Sequence, residues 1–62
     1  MNGKKIKSFS LKDREIILYE LPNGQFFVQA KNNEKDTLNH RTIDLNVALG
    51  IFDYWLERVE GN

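Results

Sequence analysis

Two segments of alternating apolar and polar residues, 15–21 and 25–31, flank a Pro-Asn-Gly tripeptide at positions 22–24. Proline presets the first turn dihedral, and asparagine followed by glycine tolerates the bridge and left-handed conformations that come next. The pattern therefore predicts a β-hairpin in which Leu21 lies opposite Gln25. A type I turn with the glycine as bulge residue is favoured over a type I′ turn on Asn-Gly, because proline has no N–H for a tight two-residue loop. The type I′ turn would slip the register by one residue and exchange much of the two faces.

The two faces of this hairpin differ in polarity. One face is apolar apart from Glu20 and is predicted to be the core side. Its apolar residues are Ile16, Leu18, Phe26, Val28 and Ala30. The opposite face carries Ile17, Tyr19, Leu21, Phe27, Gln29 and Lys31. This second face is more apolar than an ordinary solvent-exposed sheet face, so Tyr19 and Phe27 are candidate contact residues.

Two flanking segments extend the sheet. Residues 5–11 are predicted to form a half-buried edge strand, followed by a turn at residues 12–14. One side of that strand carries Lys5, Lys7, Phe9 and Leu11. Residues 38–43 are predicted to form a fourth short strand after a polar loop at residues 32–37.

From residue 45 to residue 60 the apolar period becomes helical. Asp44 is a suitable N-cap, because its carboxylate accepts first-turn N–H groups and matches the helix dipole. Ile43 and Ala48 occupy the hydrophobic-staple positions, and Gly61 is predicted to end the helix. The predicted fold class is α+β, an antiparallel β-meander of three to four strands with one C-terminal α-helix packed across one face.

The predicted helix has two apolar sectors. The core stripe covers an arc of roughly 120°. It consists of Leu45, Ala48, Leu49, Phe52, Trp55, Leu56 and Val59. Beside it, Val47, Ile51 and Tyr54 form the helix flank, which widens the apolar sector to roughly 220° and is broken only by Arg58. Gly50 lies next to the flank, and a helix-interior glycine costs roughly 1 kcal/mol relative to alanine, which suggests a close approach there.

A sector of this width exceeds what one sheet can cover, so the sequence predicts a homodimer or a larger protein partner on the flank. The predicted partner-binding residues are Val47, Ile51, Tyr54 and Trp55, with Tyr19 and Phe27 on the far side of the sheet as a second patch. Two alternatives remain open: the N-terminal strand covers the flank, or the flank stays exposed as much apolar surface does in small proteins.

The length of 62 residues predicts a single domain over residues 1–62 with a thin core. The chain has no cysteine and one histidine, which argues against disulfides and a structural zinc site and favours a reducing, cytoplasmic location. The longest apolar run covers residues 16–19, far short of the roughly 20 residues of a membrane span. No membrane partner is therefore expected.

The net charge is zero, yet the charge is unevenly distributed. Residues 1–14 have a local balance of +4, and residues 44–62 a balance of −3. Asymmetry of this kind can mark a polyanion-binding end, or it can reflect solubility and attraction between the two ends of the chain. Aromatic side chains offer stacking platforms for bases. The alternative function is therefore nucleic-acid binding, with Lys4, Lys5, Lys7, Lys12, Arg14, Lys31 and Arg41 as its cationic residues. Against it stand a pI near 6.6 and the acidic helix.

The element order is similar to that of the small sheet-reading DNA-binding domains of some integrases and plant transcription factors. That similarity is one of order and size, without a shared motif, and likeness at this level is weak support for a function.

The candidates for chemistry are weaker. His40 with Asp36 or Glu34 resembles a base and its orienting group, but no serine or cysteine stands at a nucleophile motif. Asn32, Glu34 and Asp36 alternate like calcium-loop ligands, but the sixth and twelfth positions are threonine and isoleucine, where such a loop has glycine and glutamate. The sequence therefore predicts a non-enzymatic regulatory or accessory protein without a cofactor, a metal or a small-molecule substrate.

Overall fold

The computed structural model describes residues 3–61. The elements in chain order are β1 (Lys4–Leu11), β2 (Arg14–Glu20), β3 (Phe26–Asn33), β4 (Asp36–Thr42) and α1 (Leu45–Glu60). The strands form one antiparallel sheet in the order β1-β2-β3-β4. Helix α1 packs across one face, mainly over β2 and β3. The predicted α+β meander with a C-terminal helix is confirmed, with four strands.

The hairpin between β2 and β3 has the predicted register. Glu20 pairs with Phe26, and the Leu21 N–H donates to the Gln25 carbonyl at 2.8 Å, which leaves three loop residues at positions 22–24. The Gly24 N–H donates to the Leu21 carbonyl at 3.1 Å, and within this loop only Gly24 has a positive φ, of 86°. A type I′ turn needs two such residues. The turn with Gly24 as its bulge residue is therefore confirmed, and so are the predicted hairpin faces.

Strand β1 departs from strict alternation. Its register against β2 shifts between Lys5 and Lys7, so that Ile6 forms a β-bulge. Lys7 lies opposite Leu18 on the helix-covered face, whereas Lys5 lies opposite Tyr19 on the other face. The prediction that both lysines share a face is wrong, because one inserted residue inverts the alternation on its N-terminal side.

The connection between β3 and β4 is shorter than predicted. Strand β3 continues to Asn33 and β4 begins at Asp36, which leaves residues 34–35 as the turn. A register shift between Lys31 and Asn33 makes Asn32 a second bulge residue. The polar composition of residues 32–37 predicted a loop because strand ends that are exposed to solvent have the same composition as turns.

Helix α1 begins and ends where the sequence predicts. The Asp44 carboxylate accepts the Asn46 N–H at 2.9 Å, and the Gly61 N–H donates to the Glu57 carbonyl at 2.8 Å. The predicted staple is wrong, because Ile43 is 77% exposed while Ala48 is fully buried. The short Ala48 side chain packs into the core and leaves Ile43 in solvent.

The core lies between the helix and the two central strands. Its buried residues are Ile16, Leu18, Val28, Ala30, Ala48, Phe52, Trp55 and Val59. Leu45, predicted for the core stripe, is exposed in the first helical turn. Within residues 3–61, no helix is both long and apolar enough to cross a membrane.

Candidate functional site on the open face of the sheet

The sheet face opposite α1, which we call the open face, is not covered by any other element of residues 3–61. Strand pairing aligns one residue from each strand across this face. Lys5 pairs with Tyr19, Tyr19 pairs with Phe27, and Phe27 pairs with Arg41. Paired residues in antiparallel strands project on the same side. The result is a transverse row, Lys5-Tyr19-Phe27-Arg41, with two aromatic rings at its centre and a cation at each end.

The two rings of the transverse row form a stacked pair. Their centroids are 6.3 Å apart and their planes differ by 27°. Tyr19 and Phe27 are both half-buried, so each ring keeps a surface in contact with solvent. Half-exposed aromatic rings on a sheet can stack against planar ligands.

The next row along the open face is neutral. It contains Ser8, Ile17, Gln29 and Asn39. The row after it contains Ser10, Glu15, Lys31 and Thr37. Glu15 pairs directly with Lys31 across the strands, so the positive charge of Lys31 is offset. The transverse row has no carboxylate in the adjacent row, and its two cations keep their local excess of positive charge.

The other predicted cations do not join this site. Lys4 and Lys7 lie on the helix-covered face, opposite Glu20 and Leu18. Lys12 is in the turn between β1 and β2, with a positive φ of 58°. Arg14 begins β2 instead of belonging to that turn, and its guanidinium donates to the Val59 carbonyl at 2.8 Å. Of the seven predicted cations, the structure therefore brings Lys5, Lys31 and Arg41 to the open face.

The acidic residues of α1 lie in the opposite layer. Asp53 is on the exposed side of the helix, 3.9 Å from the Lys7 ammonium, and Glu57 and Glu60 are also exposed. The helix packs on the face opposite the transverse row. The helix carboxylates therefore lie away from the transverse row, whereas Lys7 and Arg14 of the basic end contact the helix.

Neither a protein-family model, nor a curated protein, nor a solved structure matches this chain. The function is therefore inferred from its own side chains.

The helix flank is smaller than the sequence predicts. Val47 and Tyr54 are 45% and 62% exposed, but Ile51 is partly buried against the core. Trp55 is 8% exposed and belongs to the core. A Cβ atom added at Gly50 would meet nothing within 4 Å, so nothing in the described chain approaches this glycine. Val47 and Tyr54 remain as a small exposed apolar surface, and the Tyr54 hydroxyl accepts a hydrogen bond from Arg58, the residue that binds Asp36 of β4.

Arg58 joins the helix to the edge strand β4 in an arrangement that the sequence patterns do not reveal. Its Nε and Nη2 atoms donate to the two Asp36 carboxylate oxygens at 2.7 and 3.2 Å. The guanidinium also lies 5.1 Å from the centre of the Trp55 ring. The hydrogen bond from Arg58, with a smaller one from Asn32, lowers the pKa of Asp36 below its usual value. Only the interruption of the apolar helix sector by Arg58 indicated that this residue has a separate role.

The weaker chemical candidates do not form a site. His40 is exposed on β4, opposite Val28. Asp36 binds Arg58 and Asn32, so this carboxylate is engaged in a structural contact. Among residues 3–61, no three His, Cys, Asp or Glu side chains group closely enough to hold a metal ion.

Proposed function

We propose that this protein is a small non-enzymatic nucleic-acid-binding domain that uses the open face of its sheet. The observation that carries the proposal is the transverse row, in which Lys5 and Arg41 flank the Tyr19 and Phe27 rings. Cations neutralise phosphates and release their counterions, and aromatic rings stack on bases. A row with both components matches the two chemical parts of a nucleotide.

The position of the acidic helix supports the same proposal. In the sequence alone, a pI near 6.6 and the carboxylates of the C-terminal segment argue against nucleic-acid binding. In the folded chain Asp53, Glu57 and Glu60 belong to the layer on the other side of the sheet. A phosphate at Lys5 or Arg41 therefore meets the local positive charge of the open face, although the net charge of the whole molecule is zero.

The test is a binding titration of the purified protein against fluorescent oligonucleotides at several salt concentrations. We expect log K to fall linearly with log salt, because each neutralised phosphate releases counterions. Lys5→Gln and Arg41→Gln should each reduce the slope by about 0.7 on a single strand or about 0.9 on a duplex. Lys7→Gln is the matched control, since Lys7 is on the same strand as Lys5 but on the helix-covered face.

Binding that is absent even at low salt, or equally weakened by Lys5→Gln and Lys7→Gln, would contradict the proposal. The melting temperature of each variant checks that it is folded under the conditions of the titration.

A second candidate function, self-association, is favoured by the two edges of the sheet. Edge strand β1 carries Lys4, Lys5 and Lys7 and the bulge at Ile6, features that discourage pairing with another strand. Edge strand β4 has no lysine and no proline, and its register is regular from Thr37 to Thr42. Val47 and Tyr54 are exposed on the helix, and Tyr54 contacts Arg58, which binds Asp36 of β4. A second copy that pairs with β4 would cover them.

A further inference from the structure

We infer that the ligand of the transverse row is an unpaired strand, with one base stacked on Tyr19 and another on Phe27. This inference rests on the proposed function and names the form of nucleic acid that the site takes. Single-stranded nucleic acid is the occupant whose charge and base faces match the row, with phosphates at Lys5 and Arg41 and bases between them.

The first argument is the spacing of the rings. The Tyr19 and Phe27 centroids are 6.3 Å apart. Successive nucleotides along one strand of a duplex rise by about 3.4 Å. Two neighbouring bases that stay stacked on each other cannot each lie over one ring at this separation. Bases of an unpaired strand can separate and be spread over a protein surface.

The second argument is access to the base faces. In a duplex the faces of each base are covered by its neighbours, and a protein reaches only base edges in the grooves. The row crosses all four strands, a width of about 14 Å at the usual strand spacing. The major groove is about 12 Å wide and admits a helix or a two-stranded ribbon. The aromatic centre of this sheet is therefore suited to exposed bases and poorly suited to a groove.

The third argument is the polar row beside the rings. Ser8, Gln29 and Asn39 carry hydroxyl and amide groups that both donate and accept hydrogen bonds. These exposed groups lie next to Ile17 on the open face and add no charge. When a base stacks on Tyr19 or Phe27, its edge can form hydrogen bonds with these groups without an electrostatic penalty.

The experiment compares three labelled probes of about 12 nucleotides, a length within the site sizes of single-strand-binding domains. The probes are oligo(dT), oligo(U) and a mixed-sequence DNA duplex. We expect at least one single strand to bind about tenfold or more tightly than the duplex, and the DNA and RNA arms identify the preferred sugar. Tyr19→Leu and Phe27→Leu should each weaken single-strand binding by about tenfold, which is within the usual range for the loss of one stacked base.

Leu11→Ala is the matched control, because it shortens an exposed apolar side chain on the helix-covered face, and its affinity should equal that of the wild type. Single-strand binding that survives both ring substitutions, or a duplex that binds as tightly as the single strands, overturns the inference and leaves the proposed function standing. If no probe binds at low salt, the proposed function fails as well. Should a ring variant not fold, the comparison of single strand and duplex on the wild-type protein still decides the inference.

Discussion

Arg58 and Asp36 connect the last turns of the helix to the edge strand through a bidentate contact. The guanidinium and carboxylate form two hydrogen bonds, and Asn32 donates a third to the same carboxylate at 3.1 Å. Paired, planar geometry of this kind gives stronger hydrogen bonds than a single contact between flexible side chains. The contact therefore connects the last turns of α1, which packs mainly over β2 and β3, to the edge strand β4.

Acidification should weaken this contact. Because the Asp36 pKa is lowered in the folded state, the unfolded chain binds more protons in the acidic range, and stability falls as the pH drops through the folded pKa. At neutral pH, Asp36→Asn should melt at a lower temperature than the wild type. The difference should shrink when melting is measured below about pH 4, where the unfolded carboxyl is protonated.

The control for this pH series is Glu57→Gln, which removes a helix carboxylate without altering the Asp36 pair. A gap between wild type and Asp36→Asn that stays constant from neutral to acidic pH would contradict the assignment.

At the level of single residues, the sequence predicted the aromatic centre of the candidate site but not its full composition. Tyr19 and Phe27 follow from the hairpin register, which the turn determines. Arg14 was assigned to a turn and to phosphate binding, but its guanidinium binds the Val59 carbonyl. The sequence could not predict this contact, because two residues 45 positions apart leave no local pattern. Lys5 was grouped with Lys7 on one side of its strand, because nothing in a polar strand indicates a bulge.

At the level of elements, the hairpin and the helix were predictable because their signals are local. A proline, an asparagine and a glycine define the turn, and an aspartate followed by a helical apolar period defines the helix start. The bulges at Ile6 and Asn32 were not predictable, since each depends on which residues of the neighbouring strand are available for pairing.

Two glycines in different elements should respond to alanine with opposite signs. Gly24 has a φ of 86°, so Gly24→Ala should lower the free energy of unfolding by about 1–2 kcal/mol through strain in a left-handed conformation. Gly50 is inside the helix with open space around its Cβ position, so Gly50→Ala should raise it by about 1 kcal/mol. Chemical denaturation of the two variants measures both changes. Stabilisation by Gly24→Ala would show that the turn differs from the one described.

At the level of the whole molecule, the exposed apolar surface of the helix determines whether a single copy is the functional unit. The sequence predicted a wide apolar flank, and the fold leaves Val47 and Tyr54 as its exposed part because Ile51 and Trp55 contribute to the core. Small chains have thin cores and expose much apolar surface. The proposed self-association through the β4 side therefore requires the strand edge as well as the helix.

If self-association occurs, the wild-type sedimentation coefficient and melting temperature should rise with protein concentration. The double variant Val47→Gln, Tyr54→Gln should remove both trends, because it removes the exposed apolar surface beside β4. Leu11→Gln is the control, as it changes an exposed apolar residue at the opposite edge strand. A wild-type protein with one sedimentation coefficient at all concentrations would contradict self-association.

The separation of charge between the two layers has a further consequence for how the molecule approaches a ligand. A chain with zero net charge is neither attracted nor repelled as a whole, but its basic sheet and acidic helix make it an electric dipole. Exposed charges that lie further from a polyanion than the Debye length, about 8 Å at physiological ionic strength, are largely screened. Near a polyanion, the basic layer is therefore attracted while the acidic layer is screened, and the molecule rotates into a preferred orientation before any side chain makes contact.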